Sequence, residues 1–105
     1  MTAYVISEVT PRNADALSLY RERAASSIAQ YGGRYIVRGG PVSVLEGDFR
    51  QQMIVVVEFP DGETARRWYR SPEYAQALEV RNEALVRDLV LVDGVPLESD
   101  SPAPR

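Results

Sequence analysis

The sequence contains no histidine, no cysteine and no lysine, and all twelve of its basic residues are arginine. Without imidazole and thiol groups, the usual zinc ligands, a disulfide framework and catalysis by Cys or His are excluded. Without an amine side chain, a lysine Schiff base and the lysine of a phosphate-binding loop are excluded as well. Any proton transfer by this chain must use Glu, Asp or Tyr, with Arg available to support negative charge.

Basic clusters and long apolar stretches are also lacking. The arginines are interleaved with fifteen acidic residues, and the net charge is −3, which argues against a nucleic-acid-binding surface. No stretch reaches the roughly 18 apolar residues needed to cross a bilayer. The first residues have neither the basic nor the apolar part of a signal peptide. We therefore expect a cytoplasmic protein that binds neither nucleic acid nor membranes.

The size and composition of the chain predict one domain. It has 105 residues, of which 45% are hydrophobic and 26% are charged, as in ordinary globular proteins. Residues 96–105 are polar and rich in proline, a composition that offers nothing to pack. We expect a domain over residues 1–95 and a disordered tail over 96–105.

Apolar periodicity predicts the order β-α-β-β-α-β, with the second helix broken in two. The first helix is expected to begin at Thr10-Pro11, and the two parts of the second at Asp61 and at Ser71-Pro72, where the residue types fit caps and first positions. The expected strands cover residues 3–9, 34–38 resumed in 42–46, 53–59 and 87–92.

This order predicts an α+β fold, a ferredoxin-like sandwich with a four-stranded antiparallel sheet. The run Met53–Phe59 is apolar on both of its faces, with Val55 and Val57 on one and Ile54 and Val56 on the other. Helices can cover only one face. A second copy packed sheet on sheet would cover the other, so the pattern also predicts a homodimer.

Three charged residues stand in apolar surroundings. Glu58 lies near the end of the apolar run 53–59, and Arg38 is the last residue of a predicted strand. Arg81 lies on the apolar side of the last predicted helix. A buried charge must be paired or neutralised. One interpretation is a structural ion pair between Glu58 and Arg81 or Arg38. The other is a pocket in which Glu58 is an acid or base with a raised pKa and an arginine holds an anionic substrate.

Other polar and aromatic residues allow a structural and a functional interpretation. Glu46 fits a solvated turn, and Gly39-Gly40 fits a bulge or an oxyanion-binding turn. Trp68 is expected in the core. Tyr69 and Tyr74 combine an apolar ring with a polar tip, which suits a pocket wall. Ser71 is expected to cap a helix, since no base is near it in the sequence.

Several of these motifs occur together in a known family. They are Tyr31 to Gly40, Leu45-Glu-Gly47, Val57-Glu-Phe59, Trp68 to Tyr74, and Arg81. On these motifs, residues 3–94 resemble the domain-of-unknown-function family 1330. The resemblance implies a dimeric α/β barrel of the ferredoxin-like superfamily, with ligands between the sheet and the helices. It also implies a relation to cofactor-free monooxygenases, cyclases, lactone isomerases and haem-degrading enzymes, although the histidine of the last group is absent here. The pattern residues carried over are Arg38, Glu46, Glu58, Tyr69, Ser71, Tyr74 and Arg81.

Two hypotheses of function remain. The first is a small cofactor-free enzyme that performs isomerisation, cyclisation, elimination or hydrolysis on a small, mainly apolar substrate with an acidic or carbonyl group. Glu58 would carry the proton, Arg38 or Arg81 would hold the anion, and Tyr69 and Tyr74 would orient the substrate. Glu46 and Ser71 complete the expected binding residues. The second is a non-catalytic dimeric module that binds a small molecule or a protein.

Overall fold

The structure, a computed structural model, describes residues 1–96. These residues form four strands and three helices in the order β-α-β-β-α-α-β. The strands are β1 (Ala3–Pro11), β2 (Arg34–Arg38), β3 (Met53–Phe59) and β4 (Leu85–Asp93), and the helices are α1 (Ala14–Gln30), α2 (Gly62–Tyr69) and α3 (Pro72–Ala84).

The four strands form one antiparallel sheet in the order β2-β3-β1-β4. This topology confirms the ferredoxin-like fold, and it places the apolar strand 53–59 in the interior of the sheet. The expected continuation of the second strand over 42–46 is wrong, because those residues are exposed and pair with no strand of the described chain. The strand ends at Arg38, the Gly39 amide makes a last hydrogen bond to the Ile54 carbonyl of β3, and Gly39 turns the chain with a φ of +76°.

The helices cover one face of the sheet and leave the other uncovered. Alternate residues of β1, such as Val5 and Val9, are buried under the helices with Val57 and Phe59 of β3. On the opposite face, Val90 of β4 is 56% exposed. We call this second face the open face of the sheet. Its apolar exposed members on β2 and β4 are Val37, Val86, Val90 and Val92.

Local sequence signals fix where the helices begin, and one of the expected starts is wrong. Asp61 caps α2 by accepting a hydrogen bond from the Thr64 amide, and Ser71 caps α3 in the same way. The expected start of α1 at Thr10-Pro11 is wrong. Both residues extend β1, where they pair with β4, and the Asn13 side chain caps α1 instead. Asn is as good a cap as Thr, and the sheet pairing decides between them.

Two further expectations concern membrane-spanning segments and the C-terminal tail. No helix in residues 1–96 is long and apolar enough to span a membrane. The tail expected over 96–105 lies outside the described residues, apart from Pro96.

Candidate functional site

A cavity lies between the helix-covered face of the sheet and helices α1 and α2. It has a volume of about 60 Å³. This is less than half the roughly 150 Å³ of an engineered apolar cavity that binds benzene. An aromatic ligand therefore needs movement at the wall, where the flexible side chains of Arg21 and Met53 are in contact. The apolar lining comes mainly from alternate residues of the strands and from one stripe of α1: Val5, Val9, Leu17, Ala24, Ile28, Val55, Val57 and Leu89.

At one end of this cavity the wall is polar, formed by Arg87 and Tyr20, and both of these residues contact Tyr74. The Arg87 guanidinium donates one hydrogen bond to the Tyr20 hydroxyl at 2.5 Å and another to the Tyr74 hydroxyl at 2.6 Å. The two hydroxyl oxygens are themselves 2.5 Å apart. Tyr20 comes from α1, Tyr74 from α3 and Arg87 from β4. We call these three residues the Arg87 cluster.

Arg87 is partly buried, yet no carboxylate of residues 1–96 forms an ion pair with it. Burial by itself lowers the pKa of Arg87, but its contacts with Tyr20 and Tyr74 outweigh burial, and the net pKa is raised. The guanidinium is therefore positively charged. A buried charge without a counter-charge is costly in a protein interior. The cavity thus offers a fixed positive charge whose partners in the described chain are neutral phenols.

The two phenols differ in their burial and in their access to the cavity. Tyr74 is fully buried and is not among the residues that line the cavity. Burial, followed by the proximity of Tyr20, raises the pKa of Tyr74, so it keeps its proton. Its only hydrogen-bond acceptor within residues 1–96 is the Tyr20 oxygen. Either hydroxyl can donate in the bond between them. Because Tyr20 lines the cavity and Tyr74 does not, the arrangement in which Tyr74 donates leaves the Tyr20 proton available to a ligand.

A second positively charged side chain lies on the wall formed by β2. Arg38 lines the cavity, and its guanidinium carbon is 4.1 Å from the centre of the Tyr35 ring. Burial raises the pKa of Tyr35, so this phenol remains neutral. Together with Arg21, the cavity has three arginines and no Asp or Glu in its wall over the described residues. The site therefore suits a ligand with an apolar body and negative charge on oxygen.

The structure separates Glu58 from this cavity. Glu58 lies on the open face of the sheet, on the side opposite the helices. Its carboxylate accepts a hydrogen bond at 3.0 Å from Arg34, the residue beside it on β2. The ion pair expected with Arg81 or Arg38 is therefore wrong. The reason is that side chains alternate between the two faces of a strand. Glu58 lies on the same face as Ile54 and Val56, whereas Arg38 lies on the face that forms the cavity wall.

The remaining residues expected at a site lie in three different places. Arg81 and Tyr69 line a groove between α3 and the outer edge of β4, which Arg87 also borders. Tyr69 is 42% exposed. Glu46 is exposed in the loop between β2 and β3. Ser71 is buried as the cap of α3, and its hydroxyl also donates to the Trp68 carbonyl. Of the expected residues, the structure brings Arg38 and Tyr74 to the cavity or its polar cluster.

The aromatic residues expected around the helix break do pack together. The ring centres of Trp68 and Tyr74 are 4.2 Å apart, and those of Tyr69 and Tyr74 are 5.7 Å apart. Trp68 is buried, as expected for a core residue, and its indole N–H donates to Ser27. This packing fixes the position of Tyr74 and thereby holds the Arg87 cluster.

Three residues of the site escaped the sequence interpretation, namely Arg87, Tyr20 as a polar group, and Ser7. A signal for Arg87 was present, because it alternates with Leu85, Leu89 and Leu91 on one side of the last strand. Ser7 likewise alternates with Val5 and Val9. Tyr20 shares a helical spacing with Ala24 and Ile28, which marks it as apolar and not as a polar group. These three residues come together only when β1, α1 and β4 pack against one another.

A metal centre has no support in the described part of the chain. Among residues 1–96 there is no group of three or more Asp or Glu side chains close enough to share a metal ion, and the chain contains no His or Cys. The chemistry of the cavity rests on arginine, tyrosine and serine.

The family of the chain follows from its sequence. The family described as "Domain of unknown function (DUF1330)" matches residues 2–95. The chain belongs to this family. The match confirms the resemblance seen in the motifs, and no curated protein matches the chain.

Solved structures with the same fold include proteins of this size from several bacteria. A protein of unknown function from Rhodopseudomonas palustris is 18% identical, with a TM-score of 0.74 over 90% of this chain and 83% of that one. SnoaB from Streptomyces nogalater, a cofactor-independent oxygenase, is 12% identical, with a TM-score of 0.67 over 94% and 98%. A dimeric protein of unknown function from Bacteroides fragilis is 12% identical, with a TM-score of 0.60 over 89% and 96%. At these identities the likeness establishes the ferredoxin-like fold.

Proposed function

We propose that this member of the DUF1330 family is a cofactor-independent enzyme that acts on a small, mainly apolar substrate through a carbonyl or acidic oxygen. The substrate binds in the cavity, and its reaction passes through an enolate or a phenolate. The proposal rests on the surroundings of Arg87, a partly buried cation. Its guanidinium donates hydrogen bonds to two phenols, and no carboxylate of residues 1–96 forms an ion pair with it. An anionic substrate oxygen supplies the missing counter-charge.

Arg87 would stabilise the charge that develops on the substrate oxygen. A partly buried positive group that is held in place stabilises a developing oxyanion better than a mobile cation in water. Its two hydrogen bonds to Tyr20 and Tyr74 hold the guanidinium in place before the substrate enters. Little reorganisation is then required during the reaction.

Tyr20 would carry the proton in place of Glu58, which lies across the sheet from the cavity. The substrate would bind as its enolate or phenolate, after its acidic proton has passed to water. Tyr20, which lines the cavity and is held by Arg87, would then donate its hydroxyl proton to the anion and recover a proton from water. The contacts with Tyr74 and Arg87 keep the Tyr20 oxygen in place during this exchange.

An enolate or phenolate leads to three kinds of reaction that need no cofactor. Return of a proton at a different carbon gives isomerisation, and expulsion of a neighbouring group gives elimination. Direct reaction of the carbanion with molecular oxygen gives oxygenation, the activity of SnoaB, whose chain has the same fold. A cavity that stabilises the anion without reacting further would serve the alternative function, a small-molecule-binding module.

The binding test uses 4-nitrophenol, whose phenolate absorbs visible light. If the cavity stabilises the anion, bound 4-nitrophenol will ionise at lower pH than free 4-nitrophenol, and an absorbance titration will record the shift. Arg87→Met should abolish the shift, whereas Arg67→Met, on the exposed surface of α2, should preserve it. Equal ionisation of bound and free probe, or an unchanged shift in Arg87→Met, would contradict the proposal.

Two activity assays separate the reaction classes. Hydrogen–deuterium exchange next to the carbonyl of cyclohexanone, followed by NMR in D₂O, reports enolate formation. An oxygen electrode reports consumption of O₂ in the presence of dihydroxybenzenes. Exchange without O₂ uptake would support an isomerase or lyase, and uptake would support an oxygenase. Anion binding with neither activity would support the non-catalytic module.

We also propose that the protein is a homodimer joined through the open face of the sheet. Val86, Val90 and Val92 on β4 are 46–56% exposed on this face, and apolar side chains clustered on one surface are typical of an interface. A copy of the same face is an apolar surface of matching shape, related by a two-fold axis. The Bacteroides fragilis protein with the same fold is dimeric, which agrees with this choice of partner.

A further inference from the structure

Ser7 has a buried hydroxyl group without a hydrogen-bond partner. The residue lies in the middle of β1, is 6% exposed, and lines the cavity. Its Oγ is the one buried side-chain polar atom without a partner in residues 1–96. A hydroxyl left unpaired in a protein interior is destabilising, and such groups are rare in folded proteins.

The other two buried serines show what a purely structural serine does in this fold. Ser27 donates to the Ala24 carbonyl and accepts from Trp68. Ser71 donates to the Trp68 carbonyl and accepts from the Tyr74 amide. Both hydroxyls are therefore satisfied by the protein. Ser7 stands between Val5 and Val9 on an otherwise apolar wall, where Ala or Val would pack without an unpaired oxygen.

The sheet register places Ser7 next to the Arg87 cluster but apart from it. Ser7 is opposite Leu89 on β4, while Arg87 is opposite Val9, two residues along β1. Such diagonal neighbours are about 7–8 Å apart at their Cα atoms, and both side chains line the same cavity. On the other side, Ser7 is opposite Val55, the residue that pairs with Arg38 of β2. Ser7 thus lies between the two arginines.

We infer that Ser7 donates its hydroxyl hydrogen to a second oxygen of the substrate. The inference rests on the proposed function and narrows the substrate class to compounds with two oxygen atoms on one apolar skeleton, such as dihydroxyaromatic compounds or enolisable dicarbonyl compounds. The first oxygen binds Arg87 and Tyr20, and the second binds Ser7. Ser7 is therefore a specificity-determining residue, because a substrate with one oxygen leaves its hydroxyl unpaired.

The test compares two probes that differ by one hydroxyl group, 4-nitrophenol and 4-nitrocatechol. Unaltered protein should bind 4-nitrocatechol about tenfold more tightly, the effect of one hydrogen bond that is otherwise left unmade. Ser7→Ala should remove this preference and leave the affinity for 4-nitrophenol unchanged. Ser27→Ala is the matched control, because it removes a buried serine hydroxyl that does not line the cavity, and it should keep the preference.

Thermal unfolding without any probe gives a second, independent readout. Ser7→Ala should raise the melting temperature, since it removes an unsatisfied group, whereas Ser27→Ala should lower it. A lower melting temperature for Ser7→Ala would show that the hydroxyl has a structural partner and would overturn the inference.

The outcomes distinguish this inference from the proposed function. If 4-nitrophenol binds as an anion but the catechol preference is absent or survives in Ser7→Ala, the role of Ser7 is wrong and the proposed function stands. If neither probe binds, both are overturned.

Discussion

The hydroxyl oxygens of Tyr20 and Tyr74 lie 2.5 Å apart, although 54 positions separate the two residues in the sequence. Their rings meet edge to face, with centres 6.4 Å apart. Arg87 donates to both hydroxyls from the sheet below. This contact joins α1, α3 and β4 at one point. It is therefore both part of the candidate site and a connection between the two layers of the fold.

Removal of each hydroxyl in turn should separate these two roles through the rate of exchange, although each variant also removes one acceptor from Arg87. Tyr20→Phe removes the proton donor that lines the cavity, so exchange of cyclohexanone protons should fall by about 100-fold or more. Tyr74→Phe leaves one Arg87 N–H without an acceptor and should lower the free energy of unfolding by about 1–3 kcal/mol. NMR exchange and urea unfolding measure the two effects. Exchange that survives in Tyr20→Phe would assign the proton transfer to another group.

The stability of the protein should fall as the pH rises above 10. The pKa of Tyr74 is raised by burial from its ordinary value of 10.0, and the pKa of Tyr35 is raised in the same direction. The unfolded chain therefore loses protons that the folded chain keeps. The stabilisation is complete below the unfolded pKa and is lost as the pH rises toward the folded one. Urea unfolding between pH 8 and pH 11 measures this loss, which should be smaller in Tyr74→Phe than in the unaltered protein.

The Glu58–Arg34 pair should contribute little to stability. The Arg34 side chain is 71% exposed and that of Glu58 is 27% exposed, and solvent-exposed pairs typically contribute about 0–1 kcal/mol. Glu58→Gln should therefore change the free energy of unfolding by less than about 1 kcal/mol and leave the ionisation of bound 4-nitrophenol unchanged. A variant that melts normally but no longer binds the phenolate would place Glu58 in the site, against the geometry.

A charge on the open face should dissociate the dimer. Val90→Asp puts a carboxylate where the side chain is 56% exposed in the single chain, and its burial against a second sheet would be costly. Leu45→Asp, at a loop position that is 91% exposed, is the control. Sedimentation at micromolar concentration should give about twice 11.7 kDa for the unaltered protein and for Leu45→Asp. The mass should be near 11.7 kDa for Val90→Asp. A monomeric unaltered protein would exclude the sheet-on-sheet dimer.

Local patterns in the sequence determined the elements of this protein and their order. The continuous apolar run 53–59 predicts a strand, and apolar residues at a 3.6-residue spacing predict the first long helix. Burial of apolar area drives the formation of both elements. Asp61 and Ser71 fix the helix starts because a short side chain pairs with the amide that follows. The segment 42–46 was misassigned because β propensity depends on a neighbouring strand, and no strand of the described chain pairs with it.

Only the tertiary structure decided which polar residues form the site. Glu58 and Arg38 both adjoin apolar runs in the sequence, yet strand parity places them on opposite faces of the sheet. Arg87 and Tyr20 meet because β4 pairs with β1 beneath α1, a non-local arrangement fixed by packing of the whole core. The physical reason is that propensity and periodicity act over a few residues. The charge and hydrogen-bond balance of a cavity depends instead on groups that are distant in the chain, and it exists only once the layers have packed.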